Sequence, residues 1–400
     1  MKLSERARNA EPFYAMAFGD QAAALEAAGH PVAKLNIGEP DFGALPAVRE
    51  AMRGLMDGRP LPYTSAFGLP ELRQAISGFY RDQHGVDVDP ARIAVTTGAS
   101  GALMLACAAV LDPGDEVILA DPSYPANRQI IGGFGAIIRS VATTPETRYQ
   151  LDAESVARAW TDATKAVMVA SPSNPTGTSI PHEELAAICA DAGERGAWRI
   201  VDEIYLNLAD PAPDGSPARS VLDADPGAIV INSFSKYFGM TGWRLGWCVL
   251  PERLVEPVER LAMSYYICAP TPAQHAALAC FTPESLAVCE ERRAELSARR
   301  EIVLKGLARI GLPVPVPPDG AFYVYFDVSG TGLDAWELCQ RALAEAHVAL
   351  TPGRDFSAPA AGATTPSRTA DTHVRLSYAA SRQALHEGLD RLGRFLAARQ

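Results

Sequence analysis

Lysine is scarce in this 400-residue chain: Lys2, Lys34, Lys165, Lys236 and Lys305 stand against 31 arginines. A lysine set in an apolar, glycine-punctuated segment is therefore not there for solubility alone. Other features are missing as well. No two of the seven cysteines form a Cys-x-x-Cys pair and the seven histidines are scattered, which speaks against a metal site or a disulfide framework and for reduced core thiols. The longest apolar helix-like run, Ala102 to Leu111, is too short to span a membrane. The first residues, Met-Lys-Leu-Ser-Glu-Arg-Ala-Arg-Asn, carry scattered charges and no secretory apolar stretch, so a soluble, cytoplasmic protein is expected. A formal net charge of −11 disfavours nucleic acid and anionic membranes as partners. Gly133-Phe-Gly135 lacks the third glycine of a dinucleotide fingerprint, which removes the main support for a nicotinamide oxidoreductase.

With 48% hydrophobic residues the chain can bury a large core, and its length suggests two domains or one large domain with an appendage. Strand-helix alternation between roughly residues 47 and 280 predicts a mostly parallel sheet covered by helices. From Cys280 to Arg309 the composition turns to Glu, Arg, Leu and Ala, the mark of a long exposed helix. Beyond it, Gly320-Ala-Phe-Tyr-Val-Tyr-Phe-Asp327, a strand around Arg375 and a final amphipathic helix (Leu385, Leu389, Leu392, Leu396) predict a smaller α+β part, against which the first 45 or so residues pack. The segment from Ser357 to Thr372 is low in complexity and rich in Pro, Ala and Thr. It reads as a mobile loop, either a lid or a passive surface insertion.

The chemistry concentrates around Lys236. In Ser233-Phe-Ser-Lys-Tyr-Phe-Gly-Met-Thr-Gly-Trp-Arg-Leu-Gly-Trp247 the lysine sits among small hydroxyl residues, with Arg244 eight positions on. Such an amine can form a Schiff base with an aldehyde once burial or a neighbouring cation pulls its pKa down. Ser233, Ser235 and Arg244 can bind a phosphate. Ala166-Val-Met-Val-Ala170 feeds a turn, Ser-Pro-Ser-Asn174-Pro-Thr-Gly-Thr178, in which flanking prolines restrict Asn174 so that its amide can be aimed. Trp198-Arg-Ile-Val-Asp202-Glu-Ile-Tyr205 is an apolar strand ending on an acid and an aromatic, and the carboxyl ends of parallel strands are where open α/β sheets bind ligands. Gly98, Ala99 and Ser100 open an Ala/Leu-rich helix after a strand, a position whose free N–H groups favour anions. Tyr124, in Asp121-Pro-Ser-Tyr-Pro, offers a broad face for stacking.

From Asn36 to Arg375, these segments together resemble the class I/II aminotransferases, the fold-type I pyridoxal phosphate enzymes, and the resemblance covers nearly the whole chain. It implies an α/β fold: a large domain (46–285) with a mostly parallel seven-stranded sheet covered by helices, and a small α+β domain from 1–45 and 286–400. It implies pyridoxal 5′-phosphate as cofactor, with Lys236 carrying it and moving the proton, and with Asp202 and Tyr205 beside it as catalytic residues. Asp202 would face the ring nitrogen, Asn174 and Tyr205 the phenolic oxygen, and Tyr124 the ring face. Gly98, Ala99, Ser100, Ser233, Ser235 and Arg244 would hold the phosphate. Arg375 would bind the substrate α-carboxylate, with Gly38 in the segment Asn36–Phe42 that closes over it and Asn174 also touching substrate. Tyr63 matches a tyrosine that reaches the phosphate of the neighbouring subunit, so a homodimer is implied. No metal is implied.

The activity so implied moves an amino group from an L-amino acid to a 2-oxo acid such as pyruvate or 2-oxoglutarate. The same constellation could serve a β/γ-lyase of this fold. A non-catalytic effector domain is the alternative of another class, but those carry a DNA-binding segment ahead of Asn36, for which no room is expected. The helix after the phosphate turn, Gly-Ala-Leu-Met-Leu-Ala-Cys, has no lysine or arginine, and Ile37, Phe42, Phe67, Tyr124, Tyr265 and Tyr266 near the expected mouth are apolar or aromatic. A neutral or hydrophobic donor is therefore expected, unless Arg128 or a partner arginine reaches the pocket.

Overall fold

Runs such as Thr164–Ala170 and Ile229–Ser233 are rich in β-branched residues and buried along most or all of their length, the pattern of strands covered on both faces. In the computed structural model, which describes residues 1–212, 214–357 and 369–399, they lie in the middle of a seven-stranded sheet. Its order is Ile93–Thr96, Gly246–Val249, Ile229–Ser233, Trp198–Asp202, Thr164–Ala170, Glu116–Asp121, Ile137–Ala142. Gly246–Val249 runs against both of its neighbours and the other strands are parallel to one another. Side chains alternate between two cores. Ala166, Met168, Ile200, Ile229 and Ile231 pack toward the helix Gly98–Val110, whereas Val167, Val169, Val201 and Val230 join the core of the helix His182–Glu194.

The parallel strands all point their carboxyl ends one way. Asp202 and Ser233 are the last residues of their strands, and the turns at Gly98, Tyr124 and Asn174 follow directly from three others. The sheet thus brings together residues more than a hundred positions apart in sequence.

A three-stranded antiparallel sheet, Thr351–Pro352, His373–Ser377 and Tyr323–Asp327, sets Arg375 opposite Thr351 on one side and Tyr325 on the other. Ala33–Lys34 pairs in parallel with Val348–Ala349, which ties the N-terminal segment to the C-terminal part of the chain. The helix Pro283–Arg309 is not the exposed helix its composition suggests. Cys289, Leu296, Val303 and Leu307 form a buried stripe along it, and Gly306 lets Leu389 of the final helix Arg382–Ala397 come close. Composition averages over the polar face and hides a seam spaced at sevens and fours.

Of the loop read between 357 and 372, residues 358–368 lie outside the described residues, and Thr369–Thr372 is a short helix leading into the strand of Arg375. Among the described residues no helix is long and apolar enough to cross a membrane.

Candidate active site

A cavity of about 280 Å³ opens at the carboxyl ends of the strands, and Gly38, Ala99, Ser100, Tyr124, Asn174, Asp202, Tyr205, Ser233, Ser235, Lys236, Arg244 and Arg375 all line it. Lys236 leaves the strand Ile229–Ser233 through a turn that Ser233 holds. The Ser233 hydroxyl accepts the Ser235 N–H (3.0 Å) and donates to the Leu245 carbonyl (3.4 Å). The Lys236 Nζ donates to the Gly38 carbonyl at 2.7 Å and lies 5.9 and 5.7 Å from the ring centres of Tyr205 and Phe322. Burial pushes this amine down to about 8; the Glu39 carboxylate opposes the shift, and the Arg375 and Arg244 guanidiniums reinforce it. A lysine so tuned can take up and release a proton near neutral pH.

Asp202 is buried at its strand end and accepts the Ile204 N–H at 3.1 Å. Burial pushes its carboxyl up to about 6, against the pull of that hydrogen bond and of Lys236. The next acid, Glu203, turns away. It accepts the Ser220 hydroxyl (2.9 Å) and the Val221 N–H (2.7 Å), so it anchors the chain at 220–221. Among the described residues Asp202 makes no ion pair, and a protonated ring nitrogen would supply one.

The remaining residues are fixed by their neighbours. Arg375 is fully buried: Nη1 donates to Asn174 Oδ1 (2.8 Å), and Nη2 to the Asn36 carbonyl (2.5 Å) and Thr351 Oγ1 (3.3 Å). Among the described residues its Nε has no partner, a buried donor that can receive an arriving carboxylate. The guanidinium lies between the rings of Tyr323 (4.5 Å) and Phe356 (4.8 Å). Tyr205 and Tyr323 share a hydroxyl–hydroxyl bond of 2.8 Å, and burial raises both phenols, Tyr323 to about 12. Gly38 is required by close approach, because a Cβ there would collide with the Tyr323 hydroxyl. Gly98 is required twice over: its φ is +75°, and a Cβ would sit 2.5 Å from Arg244 Nη2. Arg244, at φ 54°, thereby lies over the turn that opens the helix Gly98–Val110, where free N–H groups and a guanidinium can share one anion.

Tyr63, expected at a neighbouring subunit's site, is 76% exposed and lines no part of its own cavity. Several residues expected at the mouth lie elsewhere. Phe67 belongs to the core under the helix Gly98–Val110, Phe42 lines a separate groove and stacks on Arg292, and Tyr265 is half exposed. The apolar lining comes instead from Phe13, Met16, Leu103 and Ile130, together with Ile37. Arg128 does not reach the cavity. Its guanidinium is spent on the carbonyls of Ser123 (3.3 Å), Asp355 (3.1 Å) and Phe356 (2.9 Å).

The sequence profile described as "Aminotransferase class I and II" matches residues 30–392. The chain belongs to that family. The valine–pyruvate aminotransferase of Mycobacterium tuberculosis is 39% identical over 96% of both chains, and the aspartate/prephenate aminotransferase of Thermus thermophilus 36% over 98% of both. A crystal structure of an aminotransferase from M. tuberculosis superposes with a TM-score of 0.92 at 38% identity over the whole of both chains. That of T. thermophilus aspartate aminotransferase with maleate gives 0.90 at 35% identity, covering 98% of this chain and 99% of the other. This aminotransferase therefore moves an amino group between an amino acid and a 2-oxo acid, in a family that depends on pyridoxal phosphate. The cavity's buried acid, depressed lysine and glycine-arginine anion turn fit that cofactor.

Proposed function

We propose that this aminotransferase takes its amino group from a neutral, apolar L-amino acid and passes it to a 2-oxo acid, pyruvate in preference to 2-oxoglutarate. Pyridoxal phosphate, when bound, supplies the aldehyde that takes the amine and a ring that withdraws electrons from Cα. Lys236 would hold it and, once the substrate amine has taken its place, would carry the proton from Cα to the cofactor carbon that takes the amine. Asp202 would keep the ring nitrogen protonated, Asn174 and Tyr205 would bond the phenolic oxygen, and Tyr124 would cover the ring face. Gly98, Ala99, Ser100, Ser233, Ser235 and Arg244 would hold the phosphate, while Arg375 would receive the α-carboxylate.

One observation carries the substrate reading: among the described residues the cavity holds three cations, Lys236, Arg244 and Arg375, and each already has a task. A second carboxylate, on aspartate, glutamate or 2-oxoglutarate, would be left unpaired against Phe13, Met16, Leu103 and Ile130. The M. tuberculosis relative named for valine and pyruvate agrees with this, and the one named for aspartate and prephenate marks the competing choice. A donor panel measured as kcat/KM is expected to rank leucine, valine, methionine or phenylalanine above aspartate. Aspartate exceeding every neutral donor by about tenfold, roughly 1.4 kcal/mol of transition-state preference, would contradict the reading and point to a cation from a second subunit.

The working unit we propose is a homodimer. Tyr63 is exposed, yet both residues flanking it are tied down: Thr271 Oγ1 donates to the Pro62 carbonyl (3.0 Å) and Gln274 Nε2 to Thr64 Oγ1 (3.1 Å). An anchored, exposed ring suits a neighbour's site. Tyr63→Phe is expected to weaken cofactor retention, and mixing it with Lys236→Ala to restore activity through heterodimers with one intact site. No gain on mixing, together with a monomer by light scattering, would exclude the shared site.

A further inference from the structure

The helix Tyr14–Ala27 starts without a cap of its own. Phe13 occupies the capping position with no side-chain acceptor, and the first turn has no acid. Helices leave their first N–H groups unpaired, and here the missing acceptor comes from 340 residues away. Asp355, 3% exposed, takes the Tyr14 N–H on one carboxylate oxygen (2.8 Å) and the Ala15 N–H on the other (2.9 Å). The Met16 and Ala17 N–H groups go to the Phe13 carbonyl. A carboxylate at a helix N-terminus is also favoured by the helix dipole.

The clamp is rigid at its other end. Arg128 holds the carbonyls of Asp355 and Phe356, and the Ser123 N–H donates to the Phe356 carbonyl (2.8 Å). The segment bearing Asp355 is thereby fixed to the segment bearing Tyr124, whose ring meets Phe13 edge-on at 5.9 Å. A second tie reaches the same turn: Asn36 Nδ2 donates to the Ala15 carbonyl (2.9 Å), and the Asn36 carbonyl accepts from Arg375. The first turn of this helix, the stacking tyrosine and the carboxylate-binding arginine thus share one node.

We propose that Asp355 is a positioning residue for substrate choice: by clamping the first turn of the helix Tyr14–Ala27 it holds Phe13 and Met16 as the wall against which a large apolar donor side chain packs. The assignment rests on the apolar-donor reading above. A small donor such as alanine does not extend to this wall, whereas leucine does. Loosening the clamp costs the long side chain its contact and leaves the reacting centre in place, because the Tyr124 segment keeps the backbone ties of Arg128 and Ser123 and Arg375 keeps Asn174 and Thr351.

The test is a double-mutant cycle on the holoenzyme with Asp355→Asn, Phe13→Ala and the pair, plus Asp355→Ala where it folds, each checked for its melting temperature. The ratio of kcat/KM for leucine over alanine is expected to fall by about tenfold in the Asp355 variants. The fall should lie in the KM for leucine, with Asp355→Asn milder than Asp355→Ala. Phe13→Ala should produce the same split, and the pair should lose clearly less than the product of the two single losses, since Asp355 acts through the wall that Phe13 shares with Met16. If the wild-type enzyme prefers leucine to aspartate but the Asp355 variants lose alanine and leucine turnover equally, or the two substitutions add, the assignment of Asp355 alone is overturned. If the wild-type enzyme prefers aspartate, the apolar-donor reading fails and takes this assignment with it.

Discussion

Replacing Lys236 with alanine is expected to reduce kcat by about 10⁴-fold, at the upper end of what a positioned acid-base group contributes, because the same amine is proposed to attach the cofactor and to move the Cα proton. Lys236→Arg should fare little better. A guanidinium keeps the charge but does not give up its proton at working pH, so its failure would show that the amine, and not simply a positive charge near Gly38 and Tyr205, is required. Single-turnover rates with a saturating donor measure this. A Lys236→Ala enzyme within about tenfold of wild type would contradict a proton-transfer role. Circular dichroism is expected to be unchanged, since the turn is held by Ser233 and by the Gly239 N–H to the Lys236 carbonyl, not by the amine.

Asp202→Asn is expected to slow Cα-proton removal by about 10²- to 10³-fold, the size of effect seen when a fixed electrostatic partner of the reacting group is lost. A second consequence does not depend on activity. The folded-state carboxyl sits at about 6 against an ordinary value of 3.8, so burial makes its ionised form unfavourable. That cost is absent below the unfolded value and fully present above the folded one. Without cofactor, Asp202→Asn should therefore melt higher than wild type at pH 8, with the difference shrinking as pH falls through 6 toward 4. With cofactor bound the order should reverse, because the wild-type carboxylate regains a cationic partner. A cofactor-free variant less stable than wild type at pH 8 would mean that Asp202 is stabilised by something other than the missing ring.

A mostly parallel sheet was legible because its strands are short apolar runs that end on turn residues, and the turns at Gly98, Asn174 and Tyr205 announce themselves locally; the number of strands, seven, came only with the family resemblance. Lys236 and Arg244 lie in one continuous segment, so their spacing could be read directly. The apolar wall could not. Phe13 and Met16 lie at the start of a helix with little sequence amphipathicity, whose first turn is tied down by Asp355 and Asn36 from far along the chain. Nothing local sets Tyr323 apart in the run Phe-Tyr-Val-Tyr-Phe. Its hydroxyl meets Tyr205 only after residues 118 positions apart are brought together. Phe42 and Phe67 failed as mouth residues for the same reason: apolar character tells that a side chain avoids water, not which of several cavities or cores receives it. The stripe in Pro283–Arg309 shows the complementary error, where a charged composition masked a buried seam.

The most direct test of the site is where the cofactor is attached. Holoprotein reduced with borohydride and digested should carry the pyridoxyl label on the peptide containing Lys236 and on no other. A label on Lys34 or Lys165, or no chromophore after incubation with pyridoxal phosphate, would contradict the assignment of this cavity as the catalytic centre.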